Sequence, residues 1–234
     1  MKKNQKIWVI IPAAGVGRRM GSDVPKQYLL LNDKPVIEHT LNIFKSHPAV
    51  SEIVVAISNE DEYWSSVNTS SSNIIHKTDG GKERCDSVLN GLEFLQNKAD
   101  VDDWVLVHDA ARPCLREKDL NLLLDTLIQH DVGGILAVPV RDTMKRSEKD
   151  SNLIAETVER ENLWHALTPQ MFRYKLLNDA LKSALNENKT ITDEASAIEH
   201  AGYKPVLVEG HADNIKITRP EDLALAAFYL RQVI

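Results

Sequence analysis

The chain has 234 residues, 43% hydrophobic and 26% charged, which predicts one soluble α/β domain over residues 1–234 with a well-buried core. Acidic residues outnumber Lys and Arg 34 to 28, and the net charge of -6 argues against broad binding to nucleic acid or anionic membranes. No apolar run approaches the roughly 18 residues of a membrane helix, and Ile7 to Ile11, closed by Pro12, is too short for a signal-peptide core.

That first run reads instead as a strand. Further short runs of strand length follow at Ile53–Ile57, Trp104–Val107 and Ile135–Val138, and their continuity predicts strands covered on both faces. Between them, helical periodicity covers Val36 to Lys45, Ser87 to Gln96 and Leu120 to Gln129. This alternation predicts a doubly wound, mostly parallel, Rossmann-like sheet. From Val140 to Gln170 the rhythm breaks into a charge-rich stretch, expected to form a protruding β-arm. Helices are expected again at Lys175–Asn186 and Asp193–His200, with strands near Val206 and Ile215. A last helix follows, which Thr218 would cap while Glu221 reaches back. Cys85 and Cys114 show no pairing pattern and read as buried, reduced thiols, in keeping with a cytoplasmic location.

The stretch after the first strand, "IPAAGVGRRMGSDVPKQY", carries the chemistry. A glycine-rich turn there lets backbone N–H groups approach a phosphate, yet Met20 breaks the dinucleotide fingerprint and no Gly-Lys-Ser/Thr triplet exists for a Walker loop. Arg18 and Arg19 oppose the partial positive charge of a helix start, and Lys26 adds a third cation. One such residue is explained by chance; the group is better explained by a polyanion such as a nucleoside triphosphate.

Asp109 follows the run Trp104 to His108 and projects a carboxylate over the ligand crevice, which makes it the first candidate to hold magnesium, with Asp213 the second; both read equally as turn residues. Gly80, Gly81 and Ser87 precede or open a helix, a place for a nucleotide or merely a loop boundary. Lys216, between two isoleucines, faces either an anion or solvent, and Arg160, between two glutamates, reads equally as a solvated ion-pair residue. His108 and His165 read as packing or hydrogen-bonding residues, and no histidine spacing matches a zinc site.

Seven blocks in order, "PAAGVGRRMGSDVPKQYLLLNDKPVIEHTL", "GGKERCDSVLNGL", "VLVHDAARP", "PVRDTMKR", "LWHALTPQ", "TDEASAIE" and "VEGHADNIKITRPEDLALA", resemble the methylerythritol phosphate cytidylyltransferases of the non-mevalonate isoprenoid pathway. The resemblance runs from about Ile10 to Leu230. It implies magnesium-dependent transfer of the cytidylyl group of CTP to 2-C-methyl-D-erythritol 4-phosphate, with release of pyrophosphate. It further implies that Arg19 and Lys26 stabilise the transition state, while Ala13, Ala14, Gly15 and Gly17 hold CTP and Gly81 and Ser87 contribute to cytidine recognition. Arg160, Thr168 and Lys216 are then expected at the substrate phosphate, and Asp109, Arg112 and Thr143 around its hydroxyl-bearing part. A homodimer that exchanges the 140–170 arm is implied as well; with the sequence ending at Ile234, no room is expected for the cyclodiphosphate synthase domain fused to some relatives. A cytidylyltransferase for another polyol phosphate, such as ribitol phosphate, is the nearest alternative, and a non-catalytic nucleotide-binding regulator the remote one.

Overall fold

The computed structural model describes residues 5–15, 20–21, 24–68 and 72–232. The first apolar run is strand β1 (Ile7–Pro12), and its alternation sends side chains to opposite sides of a sheet. Val9 and Ile11 join one core with Ile53, Val55 and Leu106, and Trp8 and Ile10 join another with Val54, Val105 and Val107. Both faces are therefore buried, which is why these strands read as unbroken apolar runs.

Short strands β2 (Leu30–Leu31) and β3 (Lys34–Pro35) form a small hairpin before helix α1 (Val36–Lys45). Then come β4 (Glu52–Ile57), β5 (Ile75–Asp79), α2 (Arg84–Phe94), β6 (Trp104–Val107), α3 (Glu117–Leu127) and β7 (Gly133–Pro139). The hairpin β8 (Met144–Ser147) and β9 (Ile154–Val158) leads into β10 (Trp164–Arg173), α4 (Tyr174–Asn186), α5 (Glu194–His200), β11 (Val206–Glu209) and α6 (Pro220–Gln232). Among the described residues, seven strands make one sheet in the order β11-β7-β10-β6-β1-β4-β5. Only β10 runs antiparallel to its neighbours, between β7 and β6. Helices α1 and α3 pack on one face through Ile37, Leu41, Phe44, Leu120 and Leu123; α2, α4 and α5 cover the other through Leu92, Leu177, Leu181 and Ile198. Helix α6 closes a third cluster with Leu31, Val36 and Ile217.

The helices α2 and α3 start three residues earlier than their apolar periodicity predicts, because polar first turns carry the start signal: Asp86 accepts the N–H of Glu83 at 2.9 Å, and α3 opens on Glu117 and Asp119. The arm is shorter than the predicted 140–170. Its exposed hairpin ends at Val158, and Trp164 to Arg173 belongs to the central sheet. Pro169, which has no N–H to give a ladder, lies where the β10–β7 register shifts between Ala166 and Gln170, and this interruption hides the strand in the sequence. The strand predicted near Ile215 is absent from the sheets. Polar groups along that segment serve loop contacts instead, with Ile217 N–H bound to Ala111 O at 2.8 Å and Asn214 Nδ2 to Thr168 O at 2.7 Å. At the start of α6 the carboxylate that receives the N–H groups of Thr218 and Arg219 belongs to Asp222, at 2.8 and 2.9 Å, and Glu221 lies 3.9 Å from Arg219.

Candidate active site

Open α/β sheets bind ligands beyond the carboxyl ends of their strands. The ends of β1, β5 and β6 deliver Pro12–Gly15, Gly81 and Asp109–Ala111 to one mouth, where a cavity of about 260 Å³ opens. Of the residues singled out in the sequence, Ala13, Ala14, Gly15, Lys26, Gly81, Ser87, Asp109 and Lys216 line it. Arg112 and Thr168 line a neighbouring cavity of about 280 Å³, which shares Asp109 and Lys216 with the first. Arg19 and Gly17, with Arg18, lie outside the described residues.

The loop is built for close approach. A methyl group on Gly80 would stand 2.1 Å from Ala14 Cβ, and one on Gly81 2.1 Å from Asp86 Cβ, so only glycine lets these segments meet. Ser87 Oγ accepts the Gly81 N–H at 3.0 Å and donates to Glu83 O at 3.2 Å, which turns a cavity-lining serine into a brace for the glycine turn. Lys26 Nζ is held 2.9 Å from Ile217 O, and buried Gln27 donates to Ala13 O at 2.7 Å.

Asp109 is the electrostatic centre. One of its oxygens receives Arg84 Nε at 2.9 Å; the other receives Lys216 Nζ at 2.9 Å and Arg112 Nε at 3.2 Å. Burial alone would raise its pKa, but Arg84, Lys216 and Arg112 overrule it and hold the carboxyl well below the usual range. Arg84 also grips buried Glu194 with both terminal nitrogens, at 2.6 and 3.0 Å. Burial opposes the charge on Arg84, yet Glu194 and Asp109 together raise its pKa further. Three cations against two carboxylates leave a surplus positive charge at a concave surface, a setting for an anion.

The remaining predicted residues are placed elsewhere. Thr143 and Arg160 are exposed on the arm side and line neither cavity; Arg160 donates to Arg141 O. Asp213 lines neither cavity either: Arg116 claims one of its oxygens through two nitrogens, and the other is buried with no hydrogen-bond partner among the described residues. No group of three or more His, Cys, Asp or Glu able to hold a metal occurs among the described residues. Magnesium usually takes one or two carboxylates together with substrate phosphates, and Asp109 at the cavity mouth fits that pattern.

Arg84, Glu194 and Gln170 were missed by sequence reasoning. Gln170 fastens β10 to the start of α5, accepting the Ala195 N–H at 2.9 Å and donating to Asp193 at 2.9 Å, and so positions Glu194. The three lie in the quoted blocks "GGKERCDSVLNGL", "LWHALTPQ" and "TDEASAIE", but a charge in a polar run carries no sign of its burial. His108 is fully buried between Arg112 O and Thr168 Oγ1, each 3.0 Å away, as its reading as a hydrogen-bonding residue anticipated. Cys114 is buried as expected and its thiol is pushed up to about 12 by burial and Asp213, while Cys85 is only partly buried; both are free thiols. Among the described residues no helix is long and apolar enough to cross a membrane.

Comparison with known proteins bears on this geometry. The family model described as 2-C-methyl-D-erythritol 4-phosphate cytidylyltransferase (IspD) matches residues 7–232. A relative of that name from Salmonella paratyphi C is 55% identical over 228 residues, covering 97% of this chain and 95% of its own. A crystal structure of 4-diphosphocytidyl-2C-methyl-D-erythritol synthase superimposes with a TM-score of 0.84 at 40% identity, over 97% of this chain and 99% of that one. The Francisella tularensis 2-C-methyl-D-erythritol 4-phosphate cytidylyltransferase gives 0.83 at 38% identity, over 96% of this chain and the whole of that one.

Proposed function

The chain belongs to the 2-C-methyl-D-erythritol 4-phosphate cytidylyltransferase family and is a nucleotidyltransferase of isoprenoid precursor synthesis, and from that premise we propose how its two adjoining cavities join CTP to 2-C-methyl-D-erythritol 4-phosphate. CTP occupies the glycine-braced mouth, its phosphates against the backbone of Ala13 to Gly15 and its cytidine towards Gly81 and Ser87. The polyol phosphate occupies the neighbouring cavity with Asp109, Arg112, Thr168 and Lys216. One oxygen of its phosphate attacks the α-phosphorus of CTP, the bond to the bridging oxygen breaks, and the electron pair leaves with pyrophosphate.

A phosphate monoester with a second pKa near 6 is already largely ionised at neutral pH, so this reading needs no general base. Alignment and charge stabilisation carry the rate. Lys26 lines the nucleotide cavity and is positioned by Ile217 O; the family resemblance assigns Arg19 the matching role. A magnesium ion, when bound, would supply further neutralisation of the triphosphate charge, with Asp109 the cavity-lining carboxylate nearest to that role.

The single observation that carries the reading is the Asp109 cluster, which sets three cations beside the glycine-braced mouth. The same reading includes a homodimer in which the arm exchanges. It is supported by the exposed apolar residues Leu153 and Ile154 on the hairpin, 67% and 64% exposed, and by Thr143 and Arg160 standing away from their own chain's cavities. Two free thiols accord with a reducing, cytoplasmic setting. Magnesium-dependent pyrophosphate release from CTP, with methylerythritol phosphate and ribitol phosphate run in parallel, tests the proposal. Selective turnover of methylerythritol phosphate is the expected result; selective turnover of ribitol phosphate, or of neither, overturns it.

A further inference from the structure

Three neighbouring side chains tie the turn Lys26–Tyr28 to three separate segments. Lys26 Nζ donates to Ile217 O at 2.9 Å, and Tyr28 Oη donates to Asp61 Oδ2 at 2.7 Å while its ring stacks on Tyr63 at 5.3 Å between centroids. Between them Gln27, 3% exposed, lines the nucleotide cavity, and its Nε2 lies 2.7 Å from Ala13 O. A carbonyl oxygen only accepts, so the amide nitrogen of Gln27 is the donor and the orientation of that amide is settled. Ala13 is held on its other side by β4, through its own N–H to Ala56 O at 2.7 Å. The Ala13–Ala14 peptide is trans, so its C=O and N–H lie on opposite edges of one plane. With the C=O bound to Gln27, the Ala14 N–H is turned the other way, and no described residue accepts it. Ala14 lines the same cavity as Gln27.

We propose that Gln27 is a positioning residue that fixes the sense of the Ala13–Ala14 peptide, so that the loop meets the nucleotide with the Ala14 N–H and not with a carbonyl oxygen. The inference rests on the functional reading above, in which this cavity takes CTP. CTP offers phosphate oxygens and a base carbonyl, all acceptors, which an N–H binds and a lone pair repels. A peptide turned over would present the Ala13 oxygen in place of the N–H and weaken the nucleotide. Burying an amide costs free energy unless it is bonded, and Ala13 O is the acceptor of the Gln27 Nε2. A glutamine that ties two loops could serve stability alone; its place in the cavity wall and the unclaimed N–H on the far edge of the peptide give the tie a consequence for the ligand. Lys26 keeps its own anchor at Ile217 O, so the two neighbours act separately, Gln27 on nucleotide binding and Lys26 on the moving charge.

The test uses the full-length enzyme, with KM for CTP and for methylerythritol phosphate measured separately in wild type, Gln27→Met and Gln27→Glu. Methionine keeps the length and loses the donor; glutamate keeps the shape and sets a lone pair against Ala13 O. Each is expected to raise the CTP KM about tenfold, the effect of losing one hydrogen bond, with little change in the polyol phosphate KM. Combined with Lys26→Ala, the losses in CTP kcat/KM should multiply. A double variant no worse than Lys26→Ala would show Gln27 acting through Lys26 and overturn the assignment. An equal rise in both KM values overturns it too, as does a Gln27→Met that loses stability and keeps its CTP KM. A backbone ester, with lactic acid in place of Ala14, removes the N–H itself. Its CTP KM should rise similarly, and adding Gln27→Met to it should cost nothing further; multiplying effects there place Gln27 directly on the nucleotide and overturn the peptide role. The wild type gives a measurement that needs no variant: with isotope-labelled alanine, the Ala14 amide resonance should move on adding CTP and stay on adding methylerythritol phosphate alone, and an unmoved resonance with CTP overturns the proposal. If wild type shows no turnover of CTP with methylerythritol phosphate, the functional reading falls and this inference with it; turnover with an unaltered CTP KM in the Gln27 variants removes only the role of Gln27.

Discussion

Lys26 Nζ is bonded to the carbonyl of Ile217 at 2.9 Å, across 191 positions of the chain. The bond pins a cavity cation between the first loop and the segment that carries Lys216, so its charge is in place before the substrate arrives. Preorganised charge of this kind contributes most where charge moves in the transition state. Lys26→Ala is therefore expected to lower kcat on the order of a hundredfold or more while the protein stays folded. Arginine carries a planar fork in place of a compact ammonium, and Lys26→Arg should restore little. Near-normal turnover of Lys26→Ala in a pyrophosphate-release assay would remove it from the mechanism.

Glu194 is fully buried, and among the described residues its side chain pairs with Arg84, which also holds Asp109. Removing one member of a buried ion pair leaves the other charge poorly compensated. Glu194→Ala should cost about 3 kcal/mol in urea denaturation and lower activity as well, because Arg84 loses its anchor beside Asp109. A loss below about 1 kcal/mol would mean that water replaces the carboxylate freely.

The contrast between Asp109 and Glu194 shows what the sequence makes legible. Asp109 stands at the end of an apolar strand, where topology alone points a carboxylate at the crevice, and the glycine loop is legible for the same reason. Glu194 and Arg84 sit at polar helix starts and Gln170 lies within β10, where only the tertiary contacts between β10, α2 and α5 bring them together. Arg112 and Lys216 are already named from the sequence, and of the three cations on Asp109 it is Arg84 that goes unread. Periodicity located α1 at Val36–Lys45 to the residue, because its apolar stripe begins with its first turn; α2 and α3 begin on charged residues, and their polar first turns fell outside the pattern.

Glycines 15 and 80 separate packing from binding. A methyl group on Gly80 would meet Ala14 Cβ at 2.1 Å and Ile57 O at 3.1 Å, whereas one on Gly15 meets nothing within 4 Å among the described residues. Gly80→Ala should cost about 1–3 kcal/mol and raise the CTP KM by displacing the Ala14 loop. Gly15→Ala should leave stability within about 0.5 kcal/mol of wild type, yet also weaken CTP, since the added methyl occupies a cavity-lining position. Denaturation midpoints alongside CTP KM values check both, and a destabilised Gly15→Ala with unchanged CTP affinity would contradict the placement.

Acid should destabilise the native state through His108. Burial lowers its pKa from 6.5 to about 4 in the folded chain. The unfolded state therefore takes up a proton between those values while the native state does not, and stability that is fully present above pH 6.5 is lost as pH falls towards 4. The window corresponds to roughly 3 kcal/mol. Asp109 loses its contribution only further down, below the ordinary carboxylate range, because its folded pKa is depressed by Arg84, Lys216 and Arg112. Urea midpoints at pH 7, 5.5 and 4.5 should fall less steeply in His108→Phe than in wild type. Parallel slopes would show that the ring titrates as it does in the unfolded chain.

Arg160 and Lys26 allow the arm to be tested without a structure of the dimer. In the proposed exchange, each site takes Lys26 from one subunit and Arg160 from the other. Both Arg160→Ala and Lys26→Ala should be nearly inactive alone. In a heterodimer of the two, one site carries both lesions and the other carries neither. Random reassortment makes half of all dimers mixed, so an equal mixture should recover about one quarter of wild-type turnover. If each site is built within one subunit, every site in the mixture keeps one lesion and no activity returns. Recovery must also require subunit reassortment: the two variants mixed as preformed dimers should stay inactive until unfolding and refolding together, or coexpression, lets them exchange.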